Sequence, residues 1–221
     1  MTETPVNILL IVVDQWRGDT LGLMGHPCVC TPNIDRLAAE GVAFTRHYAQ
    51  SSPCGPSRAS LATGQYLMNH RVITNDTPTA HHLKTLPWMM REAGYDPALV
   101  GYTTTVPDPR AAARNDPRFR TNTIADGWSV VRDFEGDRAH YMAYLASLGY
   151  EVPNEFEDLF RPPPDSVSVR WIPPSPIRPE HSDTVWSMDA AVDYIRYRRD
   201  APWFLHLGTF RPHPPFMAPA P

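Results

Sequence analysis

Cys54 and Arg58 bracket the run Cys54-Gly55-Pro56-Ser57-Arg58, which puts a sulfur nucleophile and a permanent cation within about one helical turn. The proline and the helix formers after it predict a helix that starts here, in the run Cys54 to Gly64. Cys54 then lies at the helix N-terminus, where unpaired N–H groups and the positive dipole end favour anions. Arg58, four residues on, shares its face. A phosphate or a sulfate suits that corner.

Other residues offer related chemistry. Asp14-Gln15 close an apolar run and place two oxygen-donating side chains at a strand end, where open α/β sheets bind ligands. The pair suits a divalent cation, and the alternative for Asp14 is a turn former or helix cap. His213 follows another apolar run, in Arg211-Pro212-His213-Pro214-Pro215. It is the candidate for acid chemistry, against the alternative of an idle loop histidine, whereas His206 lies inside the apolar run and reads as structural. His70, Arg71 and Asn75 are polar candidates after Gly64, and Tyr102 and Thr104 share a side if the chain is extended there. Cys28-x-Cys30 is a weak zinc signal without a matching pair, and His81-His82 reads as a solvated loop pair.

Positioning these residues requires alternating strands and helices. Val6 to Val13 reads as a strand buried on both faces. Thr31 to Gly41 is a punctuated helix with Thr31 as cap, and Val42 to Tyr48 is predicted as a strand. A helix over 84–93, a strand from Tyr95 to Gly101 and a short helix from His140 to Leu148 follow, with surface loops between Asp108 and Asp137. Proline clusters make 151–182 a loop excursion. Asp183 then opens a helix with Val185, Met188, Val192 and Ile195 at apolar spacing and a basic end at Arg196, Arg198 and Arg199, before a buried strand from Trp203 to Gly208. Such alternation gives an α/β fold, a mostly parallel sheet with one active edge.

Composition narrows the class. The 221 residues are 42% hydrophobic and 20% charged with a net charge of -4, so one domain with a sizeable core is expected. No basic run argues for nucleic acid, and the longest apolar run, Ile8 to Val13, is far short of the ~20 residues of a membrane span. Three cysteines without a secretory signal argue against a disulfide framework and for the cytoplasm. The 25 prolines, against a usual share near 5%, concentrate after position 150.

These segments converge on a family. Cys54-Gly55-Pro56-Ser57-Arg58 with Thr63-Gly64 resembles the sulfatase signature, whose cysteine is oxidised to formylglycine. Ile8 to Asp14 and the Thr31-Pro32-Asn33 helix resemble the sulfatase N-terminal region of the alkaline phosphatase superfamily. Gln15, where sulfatases more often carry aspartate, resembles the phosphonate monoester hydrolase branch, as do Tyr66 to Arg71, Gly101 to Thr105 and Arg211 to Phe216. Ala62 departs from the leucine of the signature. The resemblance implies an alkaline-phosphatase-like three-layer sandwich and hydrolysis of phosphonate monoesters, phosphodiesters or sulfate esters. Asp14, Gln15 and the modified Cys54 would hold a divalent cation, manganese first, with calcium, zinc or magnesium as alternatives. Arg58 would stabilise the aldehyde hydrate, while Asn75, Tyr102, Thr104 and His213 would contact the transferring group or leaving oxygen. Cation, arginine and hydrogen-bond donors suit the charged equatorial oxygens of such a transition state, and a histidine of pKa near ~6.5 suits protonation of the leaving oxygen.

The implied partners are a small anionic ester and a formylglycine-generating or equivalent modifying enzyme, with homo-oligomerisation left open. A phosphatase thiolate at Cys54 is an alternative, but those enzymes keep five residues between cysteine and arginine and this chain has three. An ordinary arylsulfatase and a silent fragment that binds only anions or partners are further alternatives. Family members continue past the His213 segment with further metal ligands and a lysine. Residues 1–221 are therefore expected to be the N-terminal part of one hydrolase domain lacking its C-terminal part, binding metal weakly and turning over poorly by itself.

Overall fold

The computed structural model describes residues 6–111, 113, 116, 124–134, 136–161, 174–197 and 201–218. Four strands pair in parallel: β1 (Ile8–Val13), β2 (Pro97–Gly101), β3 (Ser129–Asp133) and β4 (Phe204–Thr209), in the order β1-β4-β2-β3. The helices are α1 (Pro32–Glu40), α2 (Cys54–Thr63), α3 (Leu67–His70), α4 (Leu86–Glu92), α5 (Arg138–Ser147) and α6 (Asp183–Tyr197). The fold is α/β with a parallel sheet, as expected.

Alternation along β4 explains the layers. Leu205 and Leu207 pack with Ala98, Val100 and Ala191, so α6 covers that face of β4 and β2. His206 points the other way, into a small space walled by Arg58, Leu61, Leu86, Pro87 and Trp128, which belong to α2, α4 and the approach to β3. All six residues of β4 and all five of β2 are buried. At roughly 2–5 kcal/mol for each large core side chain truncated, these two strands dominate the sheet's stability.

Several expectations change. β1 is not covered on both faces: Leu9 and Ile11 remain 43% and 48% exposed. They are in register with Leu205 and Leu207, but α6 lies over β2, β3 and β4. Residues 42–48 form no strand; Val42, Phe44 and Tyr48 are exposed, and the segment has no partner among the described residues to complete a ladder. Within the stretch expected to be loops, β3 appears because β2 offers it a parallel partner, with a register shift between Leu99 and Val100. Beyond Asp183 at its start, the buried positions of α6 are Ser187 and Ala191, while Met188 and Val192 are exposed: small residues let the helix approach the sheet closely. Arg198, Arg199 and 162–173 of the proline-rich excursion lie outside the described residues. Its described flanks are well packed, since Phe156, Leu159, Phe160 and Ile177 join Tyr102, Phe134, Tyr141 and Leu145 in a second core at the C-terminal edge of the sheet.

Strand ends meet closely there. Gly101 has φ 100, and a Cβ on it would lie 1.9 Å from the Gly208 carbonyl oxygen. Only glycine permits this approach of β2 to β4, which brings Tyr102 against the end of β4.

His206 is 4% exposed and neither ring nitrogen has a hydrogen-bond partner; Trp128 meets it edge-on at 5.1 Å. Burial, with the nearby Arg58 charge, pulls its pKa down to about 4. The unfolded chain takes up that proton near the usual ~6.5, so the contribution of the neutral ring is whole above that pH and is lost as pH falls towards 4. Urea unfolding at pH 7 and 4.5 is expected to reveal a loss of roughly 2–3 kcal/mol that His206→Phe removes. An equal loss in the variant would assign the effect to other groups.

Candidate active site at the strand ends

Parallel pairing sends the C-termini of β1, β2 and β4 to one edge, and each delivers a polar group to it. Asp14 follows β1 and is 8% exposed; its backbone N–H donates to the Thr209 carbonyl at 3.1 Å, which ties it to the end of β4. Tyr102 follows β2, is 4% exposed, and its phenol donates to Asp14 Oδ2. Burial pushes the Tyr102 phenol far above its usual range, so it stays a neutral donor. His213 follows β4 by way of a turn in which its N–H donates to the Phe210 carbonyl at 2.9 Å.

The signature segment enters from the side. α2 begins at Cys54, as the sequence predicts, and is capped by Gly64, which is left-handed at φ 67. Thr63 Oγ1 and Ser60 Oγ are internally engaged, with the Ala59 carbonyl at 2.6 Å and with His70 Nε2 at 2.9 Å. His70 Nδ1 accepts from the Val72 N–H at 3.0 Å, so its Nε2 carries the proton and it clamps α3 to α2. His70 is thus structural. His81 is likewise committed, to Asp108, whose carboxyl the Arg110 guanidinium holds well below the usual range.

Asp14, Cys54 and His213 meet: one potential ligand atom from each lies within 4.8 Å of the others. Arg58 lies beneath them, 6% exposed. Its Nη1 donates to the Tyr102 carbonyl at 3.3 Å, its guanidinium carbon sits 4.7 Å from the Tyr102 ring centre, and Nη2 is 3.9 Å from Asp14 Oδ2. That last distance is an ion pair but not a hydrogen bond. Nη2 is buried without an acceptor, and so is Thr104 Oγ1. An unspent donor on Arg58, beside Asp14 and the nucleophile position, is what an incoming oxyanion would satisfy.

The remaining candidates sit less simply. Thr104 is not extended: its φ is 49, an unfavourable region for a β-branched residue. The premise that put it beside Tyr102 therefore fails, although its hydroxyl is still buried and unpaired. Gln15 also has a positive φ, 54, and is exposed on an open groove with Trp16, Met188 and Phe216. Asn75 does not stand free as a substrate contact, since its Oδ1 accepts from the Gly55 N–H at 2.8 Å and pins the first turn of α2. Cys28 and Cys30 are exposed free thiols.

Sequence reasoning missed Asp183. Its carboxylate lies 3.1 Å from Arg211 Nη2 and 3.2 Å from Nε, and Arg211 Nη1 donates to the carbonyls of Pro215 at 2.6 Å and His213 at 3.4 Å. The only hint was a helix-capping acid, and its partner is 28 positions away.

Residues 6–221 match the family model described as Sulfatase. The chain belongs to the sulfatase family. Among curated relatives of this sulfatase-family chain, the multifunctional alkaline phosphatase superfamily protein PehA of Trinickia caryophylli is 45% identical over 99% of the chain and 44% of its own length. An arylsulfatase of Clostridium perfringens is 31% identical over 96% of the chain, again across 44% of its own length. The phosphonate monoester hydrolase of Agrobacterium radiobacter superposes with a TM-score of 0.85 at 38% identity, covering 98% of this chain and 43% of that one. The enzyme of the same name from Silicibacter pomeroyi gives 0.87 at 39% identity over the same shares. The sulfatase-family chain thus spans less than half the length of these relatives.

A Cβ at Gly55 would lie 2.8 Å from the Asn75 Cα, a backbone atom that cannot step aside. Gly55→Ala is expected to destabilise the fold by about 1–3 kcal/mol, and Asn75→Ala by about 1 kcal/mol through the lost hydrogen bond. Urea denaturation of both variants measures this; unchanged midpoints would show that the two segments are not pinned together.

Proposed function

We propose that this chain carries the nucleophile side of a hydrolase acting on phosphonate monoesters, phosphodiesters and sulfate esters, through formylglycine made from Cys54 and a divalent cation. The observation that supports it is the meeting of Asp14, Cys54 and His213 within 4.8 Å beside the unspent Nη2 of Arg58. The relatives named phosphonate monoester hydrolase and arylsulfatase support the substrate range.

The donor set fits a hard cation: the Asp14 carboxylate, and at position 54 a place that Sγ marks and a hydrate oxygen would take. Asp14 and the residue-54 oxygen would hold it, with Gln15 completing what this chain offers. When bound, such an ion polarises the ester oxygens and favours the ionised form of the attacking hydroxyl. The chain's own residues do the rest. Tyr102, kept neutral by burial, fixes Asp14 by donating to Oδ2. Arg58 Nη2 is available to the equatorial oxygens of the transferring group. His213 Nδ1 donates to the Pro214 carbonyl at 2.8 Å, so Nε2 is the nitrogen free to hold a proton for the leaving oxygen.

Protein produced with a formylglycine-generating enzyme and loaded with Mn²⁺ is expected to show loss of the Cys54 sulfur by peptide mass spectrometry. It is also expected to hydrolyse phenyl methylphosphonate slowly but measurably. Cys54→Ala should abolish turnover, and His213→Gln should slow esters of poor leaving groups by about 10²–10⁴-fold while sparing 4-nitrophenyl esters. An intact thiol throughout, or equal rates with Cys54→Ala, would sink the reading.

A further inference from the structure

His213 borders open space. With Tyr141, Phe160 and Met217 it walls a cavity of about 370 Å³, so close packing holds only part of its ring. One restraint is the Phe210 ring, whose centre lies 4.6 Å from that of the imidazole. A second is the hydrogen bond from Nδ1 to the Pro214 carbonyl at 2.8 Å. A carbonyl only accepts, so this bond puts a proton on Nδ1 and leaves Nε2 bare in the neutral ring. The tautomer of His213 is therefore no more fixed than the Pro214 carbonyl is.

That carbonyl is held from both sides. Arg211 Nη1 donates to the His213 carbonyl at 3.4 Å and to the Pro215 carbonyl at 2.6 Å, the groups before and after it. Arg211 is aimed in turn by Asp183, whose Oδ2 accepts from Nε at 3.2 Å and lies 3.1 Å from Nη2. Asp183 is buried, and its Oδ1 accepts from the Thr184 N–H at 2.7 Å, which fastens the carboxylate to the first turn of α6. We propose that Asp183 is a positioning residue: through Arg211 it fixes the Pro214 carbonyl and so keeps the His213 ring protonated on Nδ1 with Nε2 free. The planar guanidinium suits this task, since one edge serves the carboxylate while the other end serves the carbonyls. The kinetic consequence rests on the hydrolase reading above. There the bond to the leaving oxygen breaks with its electron pair on that oxygen, which takes the proton from Nε2 of the imidazolium. The ring is left neutral with its other proton on Nδ1, the tautomer that the Pro214 carbonyl already holds.

The tautomer is read without turnover, by nitrogen–proton correlation NMR of the imidazoles in the metal-free 221-residue chain, well above the ordinary histidine pKa of ~6.5. The wild type is expected to show His213 protonated on Nδ1. Asp183→Asn removes the charge that aims Arg211, and Arg211→Lys keeps a charge but cannot serve carboxylate and carbonyls together. In each variant, checked for native circular dichroism, the share of His213 protonated on Nε2 should rise about fivefold or more, the worth of one net hydrogen bond. Arg132→Ala frees the Trp186 carbonyl and loosens α6 without touching Arg211, and it should leave the tautomer as it is. Alkyl phosphonate esters should be hydrolysed about tenfold more slowly by Asp183→Asn and Arg211→Lys, part of the ~10²–10⁴-fold that an acid supplies, while 4-nitrophenyl esters are spared. An unchanged tautomer in both variants, or the same change in Arg132→Ala, overturns the positioning role. A changed tautomer with alkyl esters unslowed overturns its link to proton transfer. No hydrolysis by the wild type under any metal overturns the hydrolase reading alone, because the tautomer is measured without it.

Discussion

A guanidinium cannot shed its proton inside a protein, and Arg58 is 6% exposed. Everything around the corner accommodates that fixed charge. The Tyr102 ring and carbonyl lie along one side, and Asp14 stands 3.9 Å away, a separation worth roughly 4 kcal/mol of gross attraction at an effective dielectric near 20. Yet the pair does not close into a hydrogen-bonded salt bridge, and the Tyr102 phenol donates to the same Asp14 Oδ2. Arg58 Nη2 is therefore left charged, buried and unspent. A fully closed ion pair would stabilise the empty fold at least as well. The open one leaves a donor that an incoming anion could complete, which is the feature on which the proposed function rests.

The sheet makes that arrangement available. Parallel strands bring the residues after β1, β2 and β4 to one edge, so Asp14, Tyr102 and His213 meet although they are far apart in sequence. The close approach of Gly101 to Gly208 sets how near Tyr102 comes to the neighbouring strand. Positive φ at Gln15 and Thr104 costs of order 1–3 kcal/mol each. Gln15 directly follows Asp14 and Thr104 lies two residues after Tyr102, as expected where packing elsewhere holds a backbone in place. The His206 ring, buried between α2, α4 and the sheet without a hydrogen bond, is a second local cost borne by the same core.

Much of this was legible in the residue order. Local rules sufficed for the start of α2, which its proline marks, and for β2 and β4, whose apolar runs are buried throughout. Cys54, Arg58, Asp14 and His213 were chosen by type and position, and the fold brings them together. What failed depended on partners that sequence does not name. The run from Val42 to Tyr48 has strand composition but nothing described to pair with, and Ser129 to Asp133 has poor composition but a ready neighbour in β2. Asn75 was a substrate contact by the family resemblance, and the order of residues does not reveal that its oxygen also accepts from the Gly55 N–H. Thr104 was placed by assuming an extended chain, and a left-handed turn intervenes.

The proline-rich tail of the site shows why long-range partners matter most where local ones are removed. Pro212, Pro214 and Pro215 have no N–H, so the segment that carries His213 has few backbone donors of its own, used in the turns from His213 N–H to the Phe210 carbonyl and from Met217 N–H to the Pro215 carbonyl. Its carbonyls need donors from elsewhere, and Arg211 supplies them to His213 and Pro215. Arg211 is itself aimed by Asp183 at the start of α6, and its guanidinium lies over the Phe160 ring at 4.4 Å. The orientation of the histidine proposed as acid thus depends on a helix and on the flank of an excursion that composition alone would dismiss as linker. Removing either charge of such a buried pair leaves the other uncompensated, typically at about 3–5 kcal/mol. The same contacts form one wall of the cavity beside His213, so the elements that hold the acid in place also shape the space next to it.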